Sequence, residues 1–252
     1  MKLGQRFLMG ALAVCAVALF AACGDEENAR STKVFEAPPW TGQETMTYRL
    51  SFRGEDPGTC TLETKPEFEA GLTQLLRLCE RGGYRDDGMA VVDAKTLQPV
   101  RSQRTLVDPE KNRRTVHSIE YGPEIITFTT DVNGEVSDTT RELPKPDSEN
   151  PNPGWYDDES LFWLVRGIPL RAGYDEQYTH VINAGAPRVS KGVEVIVDPV
   201  ETVKVPAGTY SAWKVRIRQD KRSYLIWVEE AAPHRMVRAQ IEDATYELTE
   251  AR

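Results

Sequence analysis

Apolar and polar residues alternate along most of this sequence, and this period of two restricts the possible folds more than any other feature. In residues 45–53 the predicted apolar face consists of Met46, Tyr48, Leu50 and Phe52. Such alternation is typical of a half-buried strand, because successive side chains of a strand point to opposite faces. Similar runs cover residues 89–94, 99–107, 113–121, 124–132, 176–183, 189–205, 209–218, 222–229, 235–241 and 244–249. The sequence therefore predicts a mainly β protein whose first half is an antiparallel meander.

The connections between these runs contain typical turn residues. Asn133-Gly134 is favoured in two-residue hairpin turns, and residues 206–208, Pro-Ala-Gly, predict a tight reversal. Residues 144–154 contain Pro144, Pro146, Pro151 and Pro153, and no strand or helix is expected there. We interpret this segment as a long surface loop within a single β-rich domain over residues 40–252, because one β domain commonly reaches about 200 to 250 residues.

Residues 64–80 fit two structures. A capping box at Thr64 and Glu67, followed by apolar residues at helical spacing, fits a helix. A hairpin instead would allow Cys60 and Cys79 to be bridged across adjacent strands. We favour the hairpin.

The N-terminal 22 residues are typical of a secretory signal. Lys2 and Arg6 precede an uncharged apolar run over residues 7–22. The end of this run resembles a bacterial lipobox, in which a cysteine, here Cys23, is acylated and becomes the mature N-terminus. Residues 23–39 would then be the lipidated cysteine and a flexible tether, and the folded part would begin at Trp40. We therefore expect an extracytoplasmic protein anchored to a bacterial membrane by lipid.

The remaining cysteines agree with this location. Cys15 leaves with the signal and Cys23 carries lipid, so Cys60 and Cys79 remain as one pair. Outside the cytosol this pair is expected to form a disulfide. The closed loop of about 20 residues would stabilise the fold by about 3 kcal/mol. The alternative is two free buried thiols.

No pattern in the sequence indicates catalysis, a metal or a cofactor. The net charge of −8 disfavours nucleic acid as a partner. His117, His180 and His234 lack metal-ligand spacing, and no Gly-x-Ser-x-Gly motif is present. Two acidic clusters, at residues 86–87 and 157–159, are interpreted as structural: adjacent acids in a strand face opposite ways, and acids suit the start of a helix.

Residues 158–166 are the best short helix in the sequence, acidic at the start and ending before Pro169. Aromatic residues are concentrated around it and on two later strands. A helix lying as a lid over an apolar groove would have this composition, and so would a helix sealing an ordinary core. The candidate ligand-binding residues are Trp155, Phe162, Trp163, Trp213 and Trp227.

Three segments carry a resemblance to a known family. The run over residues 201–215, which contains Val-Pro-Ala-Gly-Thr-Tyr, the run over 224–229, and Asp158-Glu-Ser-Leu-Phe resemble an uncharacterised family of bacterial envelope lipoproteins. That family is distantly similar to the lipoprotein-localisation carriers, whose open half-barrel holds acyl chains against a helical lid. The resemblance implies a strongly curved antiparallel sheet or open half-barrel with a short covering helix. It implies no reaction.

These observations predict a non-catalytic, membrane-anchored lipoprotein that binds or handles an apolar or lipid-like ligand in the cell envelope. Its expected partners are the membrane, through the N-terminal lipid, and this ligand. One alternative is a structural or assembly lipoprotein that binds another envelope protein through sheet edges or loops. A second alternative is an envelope hydrolase, which would require a deep cleft converging on buried acids with shifted pKa values.

Overall fold

A computed structural model describes residues 34–53, 57–145, 154–182, 187–219 and 222–252. The predicted signal peptide over residues 1–22, the lipidated Cys23 and the tether up to residue 33 lie outside the described residues, as does most of the proline-rich loop. Within the described ranges, no helix is long and apolar enough to cross a membrane.

The described residues form 15 strands, and buried positions alternate with more exposed ones most regularly in β2 and β3. The strands of the first half are β1 (Glu44–Phe52), β2 (Gly58–Glu69), β3 (Leu72–Arg81), β4 (Tyr84–Asp93), β5 (Pro99–Asp108), β6 (Arg113–Tyr121), β7 (Ile125–Val132) and β8 (Glu135–Glu142). Those of the second half are β9 (Trp155–Asp157), β10 (Tyr174–Ile182), β11 (Arg188–Val205), β12 (Gly208–Gln219), β13 (Arg222–Glu229), β14 (Met236–Ile241) and β15 (Ala244–Ala251).

All the strands belong to one sheet in the order β8-β7-β6-β5-β4-β3-β2-β1-β15-β14-β13-β12-β11-β10-β9. Two meanders, β1–β8 and β10–β15, are joined where the first strand pairs antiparallel with the last. Every neighbouring pair is antiparallel except β9 and β10, which are parallel. The sheet is not closed. Most of its pairing is local, as short hairpin turns between consecutive strands require.

The sheet is strongly curved, and the curvature brings its β9 edge against β5 and β6 in the first meander. The Tyr121 ring of β6 stacks on the Trp155 ring of β9 with centroids 5.4 Å apart. Ser102 of β5 donates a hydrogen bond to Asp157 at 2.5 Å. This arrangement confirms the predicted fold class, a mainly β protein with an open, curved antiparallel sheet and a short covering helix.

The predicted helix over residues 158–166 is shorter and deeper than expected. It consists of a 3-10 helix over Asp158–Ser160 and one α-helical turn, α1, over Leu161–Leu164. All four residues of α1 are buried on the concave side of the sheet. The indole nitrogen of Trp163 donates to Thr64 of β2 at 2.7 Å, and the buried Arg166 pairs with Glu44 of β1. We call residues 155–166 the plug, because they fill the concave side.

Residues 64–80 form the favoured hairpin of β2 and β3, and the helical alternative is wrong. Cys60 faces Cys79 in the register of the two strands, and Gly71 has a positive φ of 76° at the turn. The structure joins the two cysteines in a disulfide, so the alternative of free thiols is also wrong. β2 also pairs with β1 and β3 with β4, so both strands lie inside the sheet and their backbone groups are hydrogen-bonded to neighbouring strands.

The predicted tether is corrected at its C-terminal end, since the folded part begins before Trp40. Val34 and Phe35 are fully buried in the main core. The Phe35 amide donates to the Tyr156 hydroxyl at 3.2 Å, and the Glu36 amide donates to the Gly167 carbonyl at 2.8 Å. Val34 and Phe35 are two adjacent apolar residues in an otherwise polar stretch. The average composition of the predicted tether therefore does not indicate that this part is folded.

Candidate functional site

The concave face is not filled along its whole length. Beyond the plug lies a cavity of about 410 Å³ between β1, β3, β4, β5 and β6. This volume falls within the range of about 300–1,000 Å³ that is common for small-molecule sites. Much of the cavity wall is apolar or uncharged: Leu50, the disulfide at Cys79, Leu106, Val107 and Thr115.

Charged and polar side chains surround this apolar wall. Arg81, Tyr84, Arg113 and His117 line the cavity together with the acid Asp108. Asp108 accepts a hydrogen bond from Lys111 at 2.7 Å.

Asp86 lies on the inner side of the cavity and is held by two arginines. Arg104 donates to both of its carboxylate oxygens, at 2.8 and 2.7 Å, and Arg77 donates at 3.0 Å. Burial alone would raise the pKa of Asp86, but Arg77 and Arg104 outweigh it and hold the pKa well below its ordinary value. Asp86 is therefore a carboxylate throughout the physiological pH range.

Glu159 of the plug contacts the same arginines from the other side. Its Oε2 atom lies 3.0 Å from Arg77 Nη2, and its Oε1 atom lies 3.8 Å from Arg104 Nε. Burial raises the pKa of Glu159, and the two arginines offset this only in part. We call Arg77, Asp86, Arg104 and Glu159 the ionic cluster. It joins β3, β4 and β5 to the plug.

A second buried acid lies beside the ionic cluster. Asp157 accepts hydrogen bonds from Ser102, from the Tyr121 hydroxyl and from the Glu159 amide, the last as the cap of the 3-10 helix. Burial raises its pKa to about 7, and these hydrogen bonds limit the rise. Asp157 and Glu159 do not line the cavity, which is bounded on this side by Asp86. These two acids therefore contact β3, β5 and β6 from the plug and do not face the cavity.

The structural interpretation of the acidic clusters fits these positions. Asp86 faces the cavity and Asp87 takes the opposite face, where it pairs with Arg85. Asp157 caps the 3-10 helix, as acids at a helix start should. Glu159, however, is buried and paired with arginines, which the sequence pattern alone did not indicate.

None of the five predicted ligand-binding aromatics lines the cavity. Phe162, Trp163 and Trp227 are buried in the main core, and Trp213 packs against that core. Trp155 stacks on Tyr121 at a smaller apolar cluster. The plug therefore seals a core, as the second interpretation of these aromatics expected, and the cavity residues become the candidates for ligand binding.

The sequence did contain a signal for the ionic cluster. Arg77 stands in the buried phase of β3 between Leu75 and Cys79, and Arg104 stands in the same phase as Ser102 on β5. A charged residue at an inward position of a strand requires a buried partner, because an unpaired charge is expensive to bury.

Within the described ranges, no group of three or more His, Cys, Asp or Glu side chains is arranged to hold a metal ion. Of the three histidines, His117 lines the cavity, and Nδ1 of His234 lies 3.1 Å from the Glu229 carbonyl oxygen.

Comparison with known proteins gives a family and one solved structure. The crystal structure of a candidate exported protein with a YmcC-like fold, from Bacteroides fragilis, is similar over 87% of this chain and 99% of that one. The identity is 13% and the TM-score is 0.27. No curated protein matches the chain. Residues 47–248 match the family described as Protein of unknown function (DUF3108), and the chain therefore belongs to this uncharacterised family.

Proposed function

We propose that this chain is an exported, lipid-anchored protein of the bacterial envelope that binds an apolar or lipid-like ligand without catalysis. The observation that carries the binding is the cavity of about 410 Å³ on the concave face of the sheet, with Leu50, Leu106 and Val107 in its wall. Apolar surface in a concave site favours an apolar ligand, because binding removes both surfaces from water.

The placement of the acids favours binding over hydrolysis. Asp86, the acid at the inner wall, is ionised and already accepts hydrogen bonds from Arg77 and Arg104. A general acid needs a pKa near the working pH and access to the substrate. Asp157 has the first property, but it is 1% exposed and lies outside the cavity wall.

The export and the anchor rest on the sequence. The charged start, the apolar run over residues 7–22 and Cys23 support cleavage and acylation. In a bacterial host, Cys23→Ser should move the protein from the membrane fraction to the soluble one or leave it uncleaved. The N-terminal peptide of the wild-type protein should carry acyl chains by mass spectrometry. An unmodified Cys23 in the mature protein would contradict the anchor.

Ligand binding is tested by the lipids that accompany the full chain when it is purified from a bacterial host. Leu106→Trp should fill the cavity and remove any bound lipid. Leu78→Trp is the matched control, because Leu78 is 40% exposed and lies one position from Cys79, on the opposite face of β3. Lipid extracts of the wild type and of Leu78→Trp should contain the same molecule by mass spectrometry.

The same extract of Leu106→Trp should lack it. Circular dichroism and thermal unfolding establish that both variants fold. The absence of a bound apolar molecule from all three proteins, or an equal amount in all three, would contradict the proposal.

An exposed sheet edge favours the alternative of a protein partner. β8 pairs only with β7, and Val136 on this strand is 63% exposed. A free edge can accept a strand from another chain, although charged residues such as Glu135 and Arg141 oppose this. A Val136→Lys variant should lose a co-purifying protein if this edge binds one.

A further inference from the structure

We propose that the cavity takes a single-chain amphiphile with an acidic head, namely a long-chain carboxylate, and that Arg113 binds its head group. This inference rests on the proposed function and names the class of ligand. The chain of the ligand would lie along the wall formed by Leu50 and Leu106, with the carboxylate at the guanidinium of Arg113.

The size of the cavity favours one acyl chain. A methylene group takes about the volume of a water molecule in the liquid, about 30 Å³. The volume of about 410 Å³ therefore holds about 14 such groups. This matches one medium or long chain, whereas a lipid with two long chains would have to extend out of the cavity.

Arg113 is the cavity arginine that remains available to a ligand. Its guanidinium has neither a hydrogen bond nor an ion pair with any part of the chain that the structure describes. Arg85 is occupied by Asp87, and Arg81 lies over the Phe52 ring, 5.1 Å from its centroid. An arginine presents two parallel N–H donors that match the two oxygens of a carboxylate.

The nearby acids do not neutralise Arg113. Asp108 faces Arg113 in the register of β5 and β6, but its carboxylate binds Lys111 instead, at 2.7 Å. Glu80 also borders the cavity, and it faces Arg85 in the register of β3 and β4.

His117 lies beside Arg113 on the cavity wall, and its pKa agrees with a positive charge there. It follows Arg113 by four residues on the same face of β6, is 8% exposed, and its Nδ1 lies 3.1 Å from the Thr130 hydroxyl oxygen. Burial lowers the pKa of His117, and the positive charges of Arg104 and Arg113 lower it further. A site that disfavours a second positive charge in this way favours an anion.

The test compares three probes with the same chain and different heads: dodecanoate, dodecanol and dodecyltrimethylammonium. The protein is the full chain carrying Cys23→Ser, which removes the proposed acyl group as a competitor. By isothermal titration calorimetry, dodecanoate should bind about tenfold or more tightly than dodecanol, as expected for one charge-assisted pair of hydrogen bonds. The ammonium probe should bind more weakly still.

Two neighbouring arginines provide the matched variants. Arg113→Gln should weaken dodecanoate binding about tenfold and leave dodecanol binding unchanged. Arg114→Gln, on the outer face of the same strand, should change neither. Equal affinity for the three probes, or equal effects of the two variants, would overturn the acidic-head inference while leaving the apolar site intact. If none of the probes binds, the proposed function fails as well.

Discussion

The Nη2 atom of Arg77 lies 3.0 Å from Oε2 of Glu159, which is 82 residues later in the chain. Both side chains are buried, with exposed fractions of 9% and 2%. The contact joins β3 of the first meander to the plug that precedes the second. It therefore holds together two parts of the fold that no hairpin turn connects.

Glu159→Gln should test the weight of this contact. The amide keeps the shape of the side chain but removes its charge, so Arg77 and Arg104 together lose one of their two anionic partners, the buried one. Removing one partner of a buried pair typically costs about 3 kcal/mol or more in the free energy of unfolding. Urea unfolding monitored by tryptophan fluorescence would measure this loss.

An exposed ion pair is the control for this variant. Arg53 and Asp243 are 68% and 45% exposed, and solvent screens such pairs. Asp243→Asn should therefore change the urea midpoint little. If Glu159→Gln is as stable as the wild type, then the ionic cluster does not hold the plug.

Gly88→Ala should disturb the same contact from β4. A Cβ atom at this position would lie 2.0 Å from Glu159 Oε2 and 3.1 Å from Arg77 Nη2. The new methyl group has to displace a side chain that is buried and paired, so we expect a loss of about 1–3 kcal/mol in the free energy of unfolding. Gly42→Ala is the control, because no atom lies within 4 Å of its Cβ position. Equal urea midpoints for the two variants would contradict this packing.

Most of the strands, and the meander of the first half, could be predicted because they depend on local patterns, whereas β8 and β9 lie outside the predicted runs. Alternation fixed which residues face inward, and the turn residues Asn133 and Gly134 fixed a hairpin, with φ of 52° and 94°. The pairing of β1 with β15 could not be predicted in this way. It joins residues such as Met46 and Ala251, and no turn sequence lies between them to indicate it.

The cavity and the ionic cluster were harder to predict for a different physical reason. Arg77, Asp86, Arg104 and Glu159 come together only after the sheet curves and the plug enters it. A helix that lies as a lid over a groove and a helix that seals a core both cover apolar surface. The aromatic residues of the plug therefore fit either arrangement, and the sequence does not distinguish them. Which part of the concave face stays open depends on side-chain volumes across distant strands.

Reduction of the Cys60–Cys79 disulfide should destabilise the protein. The two cysteines are separated by 19 positions, and opening a loop of this size costs about 3 kcal/mol in the chain-entropy model. Urea unfolding with and without a thiol reductant measures the difference. A variant with both cysteines replaced by serine should be insensitive to the reductant. A wild-type midpoint that does not move on reduction would contradict the prediction.

Asp157 should make stability depend on pH. Burial raises its folded-state pKa from 3.8 to about 7. Between these values the folded protein keeps the proton while the unfolded chain releases it. The free energy of unfolding contributed by Asp157 therefore falls as the pH rises, by about 1.4 kcal/mol per pH unit, and becomes constant above about pH 7.

Asp157→Asn should remove this dependence, because the amide is neutral at every pH and can still cap the 3-10 helix through Oδ1. Urea unfolding of both proteins at pH values from about 4.5 to 7.5 isolates the contribution of Asp157, since Glu159 and the other acids titrate in both. The wild type should lose stability relative to the variant across this range, by at most about 4 kcal/mol in total. Two parallel curves would mean that the buried carboxyl ionises as easily in the folded protein as in the unfolded chain. If the wild type instead gains stability relative to the variant as the pH rises, Ser102 and Tyr121 stabilise the carboxylate more than burial disfavours it.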